Sequence, residues 1–105
     1  MSKITSKEEF EVFINSSNFE NSIFADLSQD DLAFFKGQLR FNADGIPGGY
    51  WGDIAKAGRM NDKELSEFVE KYFNVDAETF EKCVNYFGDG QGNCTYRYQF
   101  NCPDC

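Results

Sequence analysis

Three times within 105 residues the chain repeats one pattern, a polar cap followed by apolar residues at helical spacing. In "LSQDDLAFF" Ser28 is the cap, with Leu27 and Leu32 at the two positions of a hydrophobic staple. In "MNDKELSEF" Asn61 is the cap, Glu64 its capping-box partner, and Met60 and Leu65 the staple. In "VDAETFEKC" Asp76 is the cap, with Val75 and Phe80 as staple. Such caps satisfy the orphan N–H groups of a first helical turn, and the staple sets the angle at which the chain enters it. "SKEEFEVFI" offers a further start, with Ser6 as cap and Glu9 three positions on. Behind each cap runs an apolar stripe: Phe10, Phe13 and Ile14; Leu32, Phe35 and Leu39; Leu65, Phe68, Val69 and Tyr72; Phe80, Cys83, Val84 and Phe87. The last stripe predicts a helix running to Gly88, which suits the position just past a helix end.

Two stretches interrupt this grammar. "FNADGIPGGYWGD" holds Pro47 and four of the nine glycines beside the single tryptophan, and reads as an irregular connector. "YWGDIAKAG" after it reads as a short helix. "GDGQGN" has the composition of a flexible linker. "TYRYQF" beyond it alternates like a strand, but no partner strand is apparent. The expected fold is therefore all-α: a bundle of about four helices over residues 1–88 and a flexible Cys-rich tail over 89–105.

The 12 phenylalanines supply the core. A net charge of −8, of which the tail carries −1, argues against nucleic acid or an anionic membrane as partner and favours a basic protein surface. The chain has no histidine, the commonest general base and metal ligand, and no nucleophile motif or phosphate loop. It reads as a non-enzyme and a monomer. The opening residues lack the apolar run of a signal peptide, so the expectation is a cytoplasmic chain with reduced thiols.

Four cysteines admit several chemistries. Cys83 lies on a helical apolar stripe and reads as a core residue. Cys102-Pro-Asp-Cys105 has zinc-knuckle spacing, but a closed site would need two more ligands. As a redox pair it lacks the following helix that lowers a thiol pKa. An even count permits a disulfide framework, and the connectivity is open. Asn15-Ser16-Ser17 and Asn93-Cys94-Thr95 match glycosylation sequons, which carry no weight without a secretion signal. The remaining reading makes the tail a substrate: thiols on a flexible tail are accessible to an enzyme that holds the folded body.

"FKGQLRFNADGIPGGYWGDI", a following helical segment and a Cys-rich end resemble precursor peptides of ribosomal natural products of Bacteroidetes type, chryseobasin-like. The resemblance covers the layout of most of the chain, and its distinctive pieces are the Phe-Asn…Gly…Gly-Tyr-Trp-Gly stretch and the terminal cysteines. It implies a leader recognised by a multinuclear non-haem iron-dependent oxidative enzyme, sometimes with a methyltransferase. The iron belongs to that enzyme; the chain itself carries no cofactor. It also implies modification at Cys94, Cys102 and Cys105, with Asp104 as a neighbour, and export of the product. Phe34, Phe35, Leu39, Tyr50, Trp51 and Phe68 are the candidate partner anchors, although aromatic residues at helical spacing are more often a protein's own core. Gly48-Gly49 matches the end of an exporter-cleaved leader, against the simpler reading of a glycine turn. Two other classes stand beside the precursor: a small acidic inhibitor or immunity protein covering a basic surface, and a domain stapled by zinc or disulfides.

Overall fold

The caps hold where the sequence sets them. In the structure, a computed structural model describing residues 3–88 and 93–103, Asn61 Oδ1 accepts from the Glu64 amide at 2.8 Å and Glu64 Oε1 from the Asn61 amide at 3.2 Å. This box opens helix α5 (Asp62–Tyr72). Ser6 caps α1 (Lys7–Ile14), Ser28 caps α3 (Gln29–Gln38) and Asp76 caps α6 (Ala77–Cys83). The Glu9 carboxylate reaches the backbone and hydroxyl of Thr5, and these bonds hold its pKa below the ordinary glutamate value. Asp76 is lowered likewise by its bonds to Thr79. Two short helices, α2 (Ser17–Glu20) and α4 (Gly52–Gly58), and a 3₁₀ turn over Ile23–Asp26 complete the helical part.

The all-α expectation is overturned. Beside six α-helices, the described residues form a four-stranded antiparallel sheet of β1 (Arg40–Phe41), β2 (Pro47–Tyr50), β3 (Val84–Gly88) and β4 (Cys94–Asn101), in the order β1-β2-β4-β3. The predicted last helix stops at Cys83, because Val84–Gly88 finds ladder partners in β4: Tyr86 faces Tyr96, Phe87 faces Thr95 and Gly88 faces Cys94. Asn85, at φ 76°, leaves helical geometry altogether. Of that stripe Phe80, Cys83 and Val84 are buried, whereas Phe87 is only partly buried and packs outside the core, against Phe100 and Arg97.

The Gly-Gly segment is likewise a strand and not a connector. A Cβ on Gly48 would lie 2.7 Å from Pro103, and one on Gly49 would lie 2.5 Å from Gln38 Oε1. The first absence lets Pro103 rest on the sheet. The second lets Gln38 take the Tyr50 amide at 2.7 Å and return a bond to the Tyr50 carbonyl at 3.3 Å. A true turn precedes β2: Asn42 Oδ1 accepts from the amides of Asp44 and Ile46, and Gly45 adopts φ 76°.

Between the helices and the sheet lies a core built from rings. Phe24, from the 3₁₀ turn, is fully buried and meets Phe10 at 5.5 Å, Phe35 at 5.6 Å and Phe68 at 5.4 Å. Trp51, also fully buried, meets Phe35, Phe73 and Phe80 at 5.0, 5.3 and 5.6 Å, all edge to face. Such pairs add about 0.5–1.5 kcal/mol each to the burial of their area.

Candidate binding surface

The described part of the tail, residues 93–103, is built into the sheet. Asn101 is 3% exposed, and its side chain joins three elements. Its Oδ1 accepts from the Trp51 indole at 2.5 Å and from the Gly49 amide at 3.0 Å, while its Nδ2 donates to the Pro47 carbonyl at 2.8 Å. The Cys102 amide donates to the Cys83 carbonyl at 3.3 Å, and Asn42 Nδ2 donates to the Pro103 carbonyl at 3.1 Å. Cys94 and Cys102 are joined in a disulfide with Cα atoms 5.9 Å apart, and Cys102 is 2% exposed. Cys83 is buried, as its stripe implies, but it too is disulfide-bonded and not a free thiol.

These observations overturn the precursor reading. Its chemistry needs a reduced, accessible tail that an enzyme can thread, whereas Cys94 and Cys102 are oxidised and the strand between them is ordered by the fold. The leader and core-peptide description and the role of substrate for an iron-dependent oxidase go with it. Asp104 and Cys105 lie outside the described residues. Nor do Cys94 and Cys102 offer thiolates to zinc; among the described residues no group of three or more His, Cys, Asp or Glu side chains is placed to hold a metal.

The disulfide closes the base of an unusual excursion. Val84 faces Asn101, yet Tyr86 faces Tyr96, so residues 97–100 of β4 have only Asn85 opposite them. The surplus bows outward and is closed by the bond from the Gln99 amide to Asn85 Oδ1 at 2.8 Å, with Gln99 at φ 61°. The bow carries Arg97 and Tyr98, the latter 64% exposed, and Tyr96, 72% exposed, stands at its edge opposite Tyr86. The Arg97 guanidinium lies over the rings of Phe100 and Phe87, at 5.0 and 5.4 Å. Phe100 touches Tyr50 at 5.0 Å, and Tyr50 touches Phe34 at 6.3 Å, extending the aromatic surface to α3. Partial burial, Asp53 and Tyr98 raise the Tyr50 pKa, so its hydroxyl keeps its proton.

The structure separates the six anchor candidates. Phe35, Leu39 and Trp51 are buried in the core, and Phe68 packs against it. Phe34 is 56% exposed and Tyr50 half-buried, and both join the aromatic surface. Tyr86, Tyr96, Arg97 and Tyr98 were missing from the candidates, although the alternation in "TYRYQF" was the available signal.

Comparison with family models, with curated proteins and with solved structures returned no match. No helix among the described residues is long and apolar enough to cross a membrane.

Replacing Cys94 and Cys102 together by alanine is expected to lower stability by about 2–3 kcal/mol, the loop-entropy value for so short a ring. Trypsin should then cut after Arg97 many times faster, because the bow would sample open states. Urea unfolding and a digestion time course on the variant and parent check both effects.

Proposed function

We propose that this chain is a small acidic binding module that acts by contact, as a monomer, on a basic surface of a protein partner. The observation that carries the reading is the disulfide-closed bow, with Tyr96 and Tyr98 exposed on either side of an Arg97 that stacks on Phe87 and Phe100. Tyrosine and arginine dominate the energetics of protein interfaces, since each offers a large contact area with a polar end. Closing the bow before binding removes ordering entropy that association would otherwise cost. The net charge of −8, with exposed acids such as Glu8, Asp30, Glu67 and Glu81 on α1, α3, α5 and α6, favours encounter with a positive partner. The working form belongs in surroundings oxidising enough to keep the Cys94–Cys102 bond.

A photoreactive phenylalanine analogue at position 96, introduced into the full chain in its native cells, tests the proposal. The control is the same group at Glu20, an exposed residue of α2. The expected result is a discrete adduct with a basic protein from position 96, weakened by salt and lost when Tyr98 is also changed to alanine. Equal adduct patterns from both positions, or adducts indifferent to the Tyr98 change, would overturn the reading.

A further inference from the structure

Beside the aromatic surface, the sheet carries a groove of about 380 Å³. Gly48 and Gly49 line it without side chains of their own, and the space beside them is shared with Pro103, which lies against Gly48, and with the Gln38 side chain, which lies against Gly49. Phe41 lines it on the β1 side, and Phe87 and Phe100 line it on the β3–β4 side. Arg40 also lines it, is exposed, and makes no ion pair among the described residues. Arg97 stacks on the Phe87 and Phe100 rings. Among the described residues no Asp or Glu lines the groove, in a chain with 18 acidic residues against 10 basic. Two guanidinium groups thus attend one aromatic trough on an otherwise acidic molecule.

We infer that this groove binds a small aromatic carboxylate. The ring enters between Phe41 and the Phe87–Phe100 pair, where edge-to-face and offset contacts are available from both sides. The carboxylate meets the Arg40 guanidinium, whose planar fork suits two parallel hydrogen bonds. Arg97 adds positive potential and, by covering two wall rings, keeps water from them. The volume lies near the low end of small-molecule sites, which run from about 300 to 1,000 Å³. That range selects a one- or two-ring acid over a dinucleotide or a lipid. The inference is separate from the protein partner: it concerns the groove and not the tyrosines of the bow, and shares with that reading only Arg97.

Titration of the full, oxidised, ¹⁵N-labelled chain with indole-3-acetate tests it, with tryptophol as the uncharged counterpart and the Gly48, Gly49 and Gly88 amides as reporters. Saturable shifts at these glycines with a Kd below about 1 mM are expected, with tryptophol at least about tenfold weaker. Arg40→Gln, an exposed change whose folding the same spectra verify, should weaken the acid about tenfold and leave tryptophol unaltered. Arg40→Lys, which keeps the charge and loses the fork, should fall between. Shifts that stay linear to about 10 mM, equal affinity for acid and alcohol, or an Arg40→Gln variant that binds like the parent would each overturn it.

Discussion

Asn101→Ala is expected to destabilise the protein by about 3–5 kcal/mol, a large share of the roughly 5–15 kcal/mol available to a small domain. The substitution removes little volume. Its cost is polar: the Trp51 indole N–H, the Gly49 amide and the Pro47 carbonyl all lose the partner that Asn101 provides. Each buried polar group left without a partner costs about 1–3 kcal/mol, and a water entering the gap would recover part of that. Urea unfolding of the oxidised chain measures the effect. Trp51→Phe combined with Asn101→Ala separates the causes, because without the indole donor one of the three losses disappears. The double variant should therefore lose at least about 1 kcal/mol less than the sum of the single changes. Strict additivity would mean that the indole bond contributes nothing. Asn101→Asp keeps the acceptor and removes the donor to Pro47 while burying a charge, so its stability should fall as pH rises above the carboxylate range.

Phe24→Ala carries the second large effect, also about 3–5 kcal/mol, by a different route. Phe24 sits where α1, α3 and α5 converge, in ring contact with Phe10, Phe13, Phe35, Phe68, Tyr72 and Phe73. Its removal opens a cavity that rings of this rigidity fill poorly. At about 4–8 °C per kcal/mol for a domain of this size, the melting temperature should drop by more than about 10 °C. Val12→Ala on α1 is the control: that side chain is 72% exposed and should shift stability by less than about 0.5 kcal/mol. A Phe24 variant that melts with the parent would mean that the turn carrying it does not pack as described.

Residue by residue, legibility followed the range of the interaction. The Asn61–Glu64 box was readable because both partners lie within one turn of helix. Phe24 was not, since "NSIFADL" has neither helical nor strand periodicity and is buried through contacts with distant rings. The strand alternation of "TYRYQF" was visible, but its partner "VNYFG" was concealed inside a helical stripe, so the sheet went unseen. Gly48 and Gly49 pointed toward a turn because glycine is usually read for its dihedral freedom. Here the decisive fact is the approach of Pro103 and Gln38, residues far off in sequence. The disulfide could not have been assigned either, since four cysteines allow three connectivities and proximity is a property of the fold. On the surface, Phe34 and Tyr50 were among the anchor candidates, but the bow itself depends on a register shift that no local pattern encodes.

The order of the sheet also bears on how the chain is made. β4 lies between β2 and β3, and the bond from Trp51 to Asn101 spans 50 residues. A ribosome adding about 5–20 residues per second leaves several seconds between the two ends of that bond. During that interval the nascent helices can collapse around their phenylalanines, while β2 waits with an open edge and an indole lacking its acceptor. A chaperone that shields exposed strand edges would find its substrate in this interval, before the strand that closes the sheet is available.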